Sequence, residues 1–292
     1  MFIATLIAKE RLSGGDISAA EDAMAAAGVH AFGRSWVEED KACDLLFSAA
    51  PESARRALEG LVAEADVVVQ REAHRRAKLL VADMDSTMIT VECIDELADY
   101  AGLKAEIAEV TERAMRGELE FEAALRARVK LLKGLDASTI DLCRAERVRA
   151  TPRARALVRT LRRDGAYCLI VSGGFTRFAE PVAEELGFHR AIANRLVIED
   201  GRLTGEVEAP IVGALTKRQA LLDAAAEREL GLEDSLAIGD GANDIPMIEA
   251  AGLGVAYHAK PAAAAAAGAR IEHNDLTALL YAAGYARSEW EA

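Results

Sequence analysis

The run Leu79-Leu80-Val81-Ala82 leads without a polar break into Asp83-Met84-Asp85-Ser86-Thr87, and this junction constrains the chain more than any other stretch. An unbroken apolar run ending in a polar cluster predicts a strand covered on both faces, as in a parallel sheet between helices. If the extended backbone continues past Asp83, side chains two residues apart point the same way. Asp83 and Asp85 then converge beyond the carboxyl end of a strand, where open α/β sheets bind their ligands. Two carboxylates that close repel unless a cation or a shared proton lies between them. A D-x-D alone also describes an acidic loop after a core strand, so the rest of the chain has to decide.

The pattern recurs downstream. Ala166–Val171 reads as a buried strand ending in Ser172-Gly173-Gly174, and Ser235–Gly239 as another ending in Asp240-Gly241-Ala242-Asn243-Asp244. A Ser-Gly-Gly corner before a helix can offer a hydroxyl and backbone N–H groups to a phosphate, although Gly-Gly also simply ends strands. Lys217 falls between the two clusters, at the predicted start of a helix over 216–229, where the helix dipole disfavours a cation. An anion nearby would account for it. Three oxygen-bearing side chains within Asp240–Asp244 suit a hard divalent cation.

Around these pieces, 153–164 and 175–186 read as helices, 191–193 and 253–256 as strands, and 195–207 as a hairpin turning at Asp200-Gly201. The alanine run 262–267 reads as a helix begun by Pro261. Residues 91–148 are helical in pattern and lack proline, which predicts a helical cap over the end of the Asp83 strand. Within it, Phe121, Leu125, Arg128 and Leu132 form one helical stripe. A guanidinium in an apolar stripe calls for an anion, either a protein acid or a ligand carboxylate. Glu92 opens a helix, where it can serve the dipole as readily as a ligand.

Before the Asp83 strand the pattern is βαββαβ: strands over 2–8, 30–37, 43–49 and 66–70, helices over 16–27 and 51–64. This is a ferredoxin-like plan. Residues 71–78 read as a polar, basic linker. The predicted fold class is α/β: a Rossmann-like parallel core with a helical cap inserted after its first strand, preceded by this small βαββαβ unit. The divisions are 1–70, the linker 71–78, and 79–292, with the core in 79–90 and 150–292 and the cap in 91–149.

Composition sets outer bounds. The 292 residues are 51% hydrophobic and 28% charged, enough for a sizeable core. A net charge of −13 argues against a nucleic-acid partner. No apolar run reaches the roughly 18 residues of a membrane span, and the start of the chain lacks a basic segment and a cleavage signature. The four cysteines show no C-x-x-C spacing and read as reduced thiols. The expectation is a cytoplasmic protein with no membrane partner.

Taken together, the strand-end clusters resemble the haloacid dehalogenase-like phosphohydrolase superfamily. Its signature is D-x-D-x-T, a strand-end Ser or Thr, a Lys, then G-D-x-x-N-D, and the chain matches in order at Asp83–Thr87, Ser172, Lys217 and Gly239–Asp244. Val171–Phe175 and Ala193-Asn194-Arg195-Leu196 bring it closer to the phosphoserine phosphatase branch. The resemblance covers residue 79 to roughly 280; the first 70 residues look like a degenerate ACT-type regulatory domain of the kind that precedes some members and often pairs into a homodimer. It implies hydrolysis of O-phospho-L-serine, the last step of serine biosynthesis. Asp83 would be the nucleophile and Asp85 the general acid/base. Mg²⁺ would be held by Asp83, the Asp85 backbone carbonyl and Asp240. Ser172, Gly173, Lys217 and Asn243 would bind the phosphoryl group, with Gly174 and Asp244 in support. Glu92 and Arg128 would take the substrate's ammonium and carboxylate, with Phe121 lining the pocket. Transfer of the phosphoryl group to homoserine, hydrolysis of another small phosphometabolite, and signalling through a stable phospho-aspartate are the competing readings. Against the last, an acid/base two residues from the nucleophile serves to turn an intermediate over.

Overall fold

The computed structural model describes residues 1–115 and 118–292; Arg116 and Gly117, within the expected helical stretch, lie outside the described residues. The amino-terminal unit runs β1 (Phe2–Ala8), α1 (Gly14–Ala26), β2 (Gly33–Glu38), β3 (Ala42–Phe47), α2 (Pro51–Leu58) and β4 (Ala65–Arg71), the βαββαβ order expected. Helix α1 begins at Gly14, ahead of the expected Asp16, because Ser13 caps it: its hydroxyl accepts from the Asp16 N–H, and the Asp16 carboxylate accepts from the Ser13 N–H. Helix α2 stops at Leu58, short of Glu64. Gly60 and Glu64 have φ of 74° and 51°, which no right-handed helix accommodates.

The acid-bearing run forms β5 (Leu79–Ala82), buried at every position. The cap follows as α3 (Cys93–Tyr100), α4 (Lys104–Met115), α5 (Phe121–Leu131) and α6 (Ser138–Arg147). The core resumes with α7 (Ala154–Arg163), β6 (Tyr167–Phe175), α8 (Thr176–Leu186), β7 (Arg190–Asn194) and the hairpin β8 (Leu196–Glu199) and β9 (Arg202–Val207). It closes with α9 (Ala214–Glu227), β10 (Ser235–Gly239), α10 (Ile245–Ala250), β11 (Leu253–Tyr257), α11 (Pro261–Ala266), β12 (Ala269–Ile271) and α12 (Ala278–Ala282). The short elements β12 and α12 carry too little periodicity to be read from sequence.

Ten strands form one sheet in the order β2-β3-β1-β4-β12-β11-β10-β5-β6-β7. The first four positions have the ferredoxin-like order, and they join the parallel core where β4 meets β12 antiparallel, Val67 opposite Arg270. The core strands β11, β10, β5, β6 and β7 are parallel throughout. Their carboxyl ends therefore lie along one edge, which is what brings the separate polar clusters together. Segment 71–78, expected as a linker, is docked on both neighbours. Arg75 reaches the buried Asp44 at 2.9 Å, and His74 and Lys78 both hold Asp234 at 2.8 Å. Among the described residues, no helix is long and apolar enough to cross a membrane.

Candidate active site

Register builds the site. Ala82 lies opposite Ile238 of β10 and Ile170 of β6, so the residues just beyond these positions emerge side by side. Asp83 is seated by its own N–H, which donates to the Ile238 carbonyl at 2.9 Å. Asp83, Asp240 and Asp244 meet there, each less than a tenth exposed, with carboxylate oxygens within 4.8 Å of one another. Lys217, fully buried, reaches in from the first turn of α9. Its ammonium contacts Asp83 Oδ1 at 2.6 Å and Asp244 Oδ1 at 2.7 Å. The anion inferred from its place near a helix start is thus, at minimum, a pair of protein carboxylates.

Burial works against these charges. It would discharge Lys217, but Asp83 and Asp244 outweigh it and raise the ammonium's pKa. Burial also pushes the Asp83 carboxyl well above the ordinary range; Lys217 pulls the other way, while Asp244 and Asp85 add to the rise. Asp240 is raised by burial too, against the pull of Lys260. The pocket is short of positive charge, and its donors are hard oxygens, so the residues present fit a divalent cation. Asp244 is the least available of the three. Its Oδ1 accepts from Lys217, and its Oδ2 accepts from the N–H groups of Asp240 at 3.2 Å and Gly241 at 3.0 Å. It braces Lys217 and the β10 corner, which leaves Asp83 and Asp240 facing outward.

Asp85 sits apart from that group. Ser86 turns the chain sharply at φ 55°, in the left-handed region, and its hydroxyl donates to Glu92 Oε1 at 2.7 Å. The turn brings the Cys93 N–H, at the start of α3, to Asp85 Oδ1 at 3.1 Å. Burial, with Glu92 next in effect, pushes the Asp85 carboxyl up to about 7, although the Cys93 N–H opposes the rise. Gly174 leaves room beside it, since a Cβ there would come to 2.8 Å from Asp85 Oδ2. Ser172 is fully buried, and its hydroxyl accepts from the Gly174 N–H at 2.8 Å.

Above this floor lies a cleft of about 100 Å³ whose lining includes Asp83, Asp85, Glu92, Phe121, Arg128 and Asn243. Three stripe residues of α5, Phe121, Leu125 and Arg128, face it, while the fourth, Leu132, is buried in the main core. Phe121 packs over the Gly173 corner, its ring 3.1 Å from where a Gly173 Cβ would sit. Burial lowers the Arg128 pKa against the opposing charges of Asp95, Glu92 and Asp85. Among the described residues no carboxylate forms an ion pair with Arg128. Asp83, Asp85, Glu92, Phe121, Arg128, Gly173, Gly174, Asp240 and Asn243 line this cleft, while Ser172, Lys217 and Asp244 are buried and do not line it.

Three contributors were not singled out. Lys260 lines the cleft, with its ammonium 3.6 Å from Asp240 Oδ2; a lysine after a strand end gives no signal of its own. Ser86 supplies the left-handed turn. Asn194 is buried within the Ala-Asn-Arg-Leu motif; its amide donates to the Gly173 carbonyl at 2.8 Å and accepts from the Val212 N–H at 2.8 Å.

With this geometry in place, the chain can be set beside known proteins. A family model described as haloacid dehalogenase-like hydrolase matches residues 80–249. The phosphoserine phosphatase of Streptomyces coelicolor is 51% identical over 226 residues, 77% of this chain and 55% of that protein. A haloacid dehalogenase family hydrolase from Salmonella enterica serovar Typhi superposes with a TM-score of 0.84 at 28% identity, covering 96% of this chain and 98% of that one. A probable phosphoserine phosphatase from Vibrio cholerae, in its unliganded form, gives a TM-score of 0.77 at 35% identity, covering 99% and 89%. The chain spans about half the length of the curated relatives it matches first, 55% and 54%.

Proposed function

The chain belongs to the haloacid dehalogenase-like hydrolases, and we propose that it hydrolyses O-phospho-L-serine to L-serine and phosphate, as the last step of serine biosynthesis in the cytoplasm. The observation that carries the substrate is Arg128, which lines the same cleft as Asp83 and, among the described residues, forms no ion pair with a protein carboxylate. Similarity to the Streptomyces coelicolor phosphoserine phosphatase supports the same reading.

The phosphoryl group is received by Ser172, the Gly173 amide, Lys217 and Asn243. Asp83 attacks phosphorus in line, the bond to the serine oxygen breaks, and an aspartyl-phosphate forms. Asp85, whose pKa of about 7 keeps much of it protonated near neutrality, gives its proton to the departing oxygen. It then takes a proton from the water that hydrolyses the acyl phosphate. Asp83, Asp240 and the Asp85 backbone carbonyl would hold Mg²⁺, which when bound neutralises charge on the phosphoryl oxygens. Arg128 grips the substrate carboxylate, Glu92 pairs with its ammonium, and Phe121 closes the side of the pocket. Residues 1–70 act as an ACT-like regulatory unit through which two copies pair; the ferredoxin-like strand order supports this, and light scattering on the intact chain tests it.

The test of substrate is phosphate release from a panel of phosphorylated amino acids and sugars, with and without Mg²⁺ and with homoserine as competing acceptor. O-phospho-L-serine should lead the panel, and the phosphoryl group should go to water. In the same assay Arg128→Ala should cut kcat/KM for O-phospho-L-serine by about 10²-fold or more, because a buried charge loses its partner. p-Nitrophenyl phosphate, which has no carboxylate, should lose far less. Equal losses on the two esters would remove Arg128 from the specificity site.

A further inference from the structure

Arg128 makes one hydrogen bond within the chain among the described residues, from Nε to the Ala124 carbonyl at 3.4 Å. That bond stays inside α5, so the aim of the guanidinium depends on where the helix itself lies. The second half of α5 rests on the β8–β9 hairpin. At Gly205, φ is 83°, and a Cβ there would come to 2.9 Å from Lys133 Cβ and 3.2 Å from the Lys130 carbonyl oxygen. The segment after α5 is stitched to the hairpin by backbone bonds. The Gly134 N–H donates to Leu203 O at 2.8 Å, the Leu203 N–H to Leu135 O at 2.9 Å, and the Ala137 N–H to Gly201 O at 2.8 Å. Side chains add to this: Arg202 donates to the Gly134 carbonyl at 2.8 Å, and Arg126 to the Val207 carbonyl at 3.3 Å. Leu196, Leu203 and Val207 share one buried apolar cluster with Leu125, Val129 and Leu132.

We propose that the β8–β9 hairpin is a strut that sets the distance of Arg128 from the phosphate site, with Gly205 as the positioning residue at its contact with α5. This rests on the reading of Arg128 as the carboxylate grip. Any side chain at 205 must displace either the hairpin or the helix, and φ of 83° strains it further. Asp83, Asp85 and Lys217 stand on other elements. A shift of α5 therefore moves the specificity group relative to the reacting group while sparing the reacting group itself. Misplacement by about 1 Å can cost up to about 10²-fold when geometry is exacting.

The experiment compares wild type, Gly205→Val, Arg128→Ala and the double variant on O-phospho-L-serine and on p-nitrophenyl phosphate. Gly205→Val should raise KM for O-phospho-L-serine about tenfold and leave kcat/KM for p-nitrophenyl phosphate within about twofold of wild type. In the Arg128→Ala background that extra loss should vanish, as expected for a residue acting through Arg128. Equal loss on both esters, or a full-sized loss without Arg128, overturns the strut. Should Gly205→Val not fold, Arg202→Ala removes a single bond to the Gly134 carbonyl and should give the same one-sided pattern at about threefold; no difference between the esters overturns the proposal. Hydrogen exchange provides a reading independent of substrate. Amides of α5 should exchange faster in Gly205→Val while those of β5 and β10 do not change, and unchanged α5 exchange overturns the strut. A wild-type chain inactive on O-phospho-L-serine refutes the proposed function alone, and the exchange result then decides the strut.

Discussion

Asp83 and Asp85 are the same side chain two residues apart, and they meet different partners. Burial raises the Asp83 carboxyl well above the ordinary range, and a buried ammonium at 2.6 Å opposes that rise. Burial, with Glu92 next in effect, pushes Asp85 up to about 7 against the Cys93 N–H. On the proposed mechanism the contact with Lys217 suits Asp83 to attack phosphorus, and Asp85, also lining the cleft, carries the proton. Asp83→Asn should therefore abolish turnover of every ester, as measured by phosphate release. Asp85→Asn should behave differently. On O-phospho-L-serine, whose leaving oxygen needs a proton, the rate should fall by roughly 10²–10⁴-fold. On p-nitrophenyl phosphate, whose leaving group needs none, rapid mixing should show a burst of p-nitrophenol equal to the enzyme present, followed by slow turnover. Steady release at the wild-type rate, without a burst, would contradict the second role of Asp85.

At the scale of elements, the site is a property of strand ends. The Gly173 corner belongs to β6, Lys217 to α9, and the hairpin lies between them in sequence. Asn194 at the end of β7 ties the Gly173 carbonyl to Val212, just ahead of α9. Asn194→Ala leaves the half-buried Gly173 carbonyl and the buried Val212 N–H without these partners, which should cost about 1–3 kcal/mol in urea unfolding. Because the phosphate corner itself is loosened, KM should rise alike for O-phospho-L-serine and p-nitrophenyl phosphate. The even-handed loss distinguishes this contact from Gly205, whose effect should follow the carboxylate. A stable Asn194→Ala variant with unchanged KM would show that β6 holds its corner unaided.

Across the whole molecule, the amino-terminal unit and the catalytic core share one sheet and several buried polar contacts. Asp66 of β4, 3% exposed, accepts from the N–H groups of Glu272 at 2.8 Å, His273 at 3.1 Å and Asn274 at 3.0 Å, and from the Asn274 amide at 2.8 Å. Asp44, also 3% exposed, holds both Thr5 and Arg75. Such contacts predict one cooperative unfolding transition for the chain. Trp36 lies in β2 and Trp290 packs on Tyr281 near the carboxyl end, so variants keeping either tryptophan alone report on the two regions. Their urea curves should coincide. Asp66→Ala should shift both together by about 2–4 kcal/mol, since it leaves several buried donors unmet. Two separate midpoints in the otherwise unaltered chain would mean that the sheet junction does not couple the units.

The sequence by itself determined the strands and the order of their polar ends, because buried parallel strands are unbroken apolar runs and the groups that follow them are conspicuous. From that came the convergence of Asp83, Ser172 and Asp240, since parallel strands must end along one edge. The helical stripe likewise put Phe121 and Arg128 on one face of α5. What only the tertiary structure decided depends on contacts between residues far apart in the chain. Lys260 has ordinary neighbours in sequence and Asn194 stands in a motif that states no role for it; both acquire meaning from Asp240 and Gly173, which the fold brings to them. The early end of α2 and the short strand β12 rest on local backbone conformation and on sheet pairing that no periodicity announces. The different partners of Asp83 and Asp85 also required the fold, because Asp83 meets a lysine 134 positions downstream. Spacing along a chain states which groups can meet; desolvation and register decide which of them do, and in what charge state.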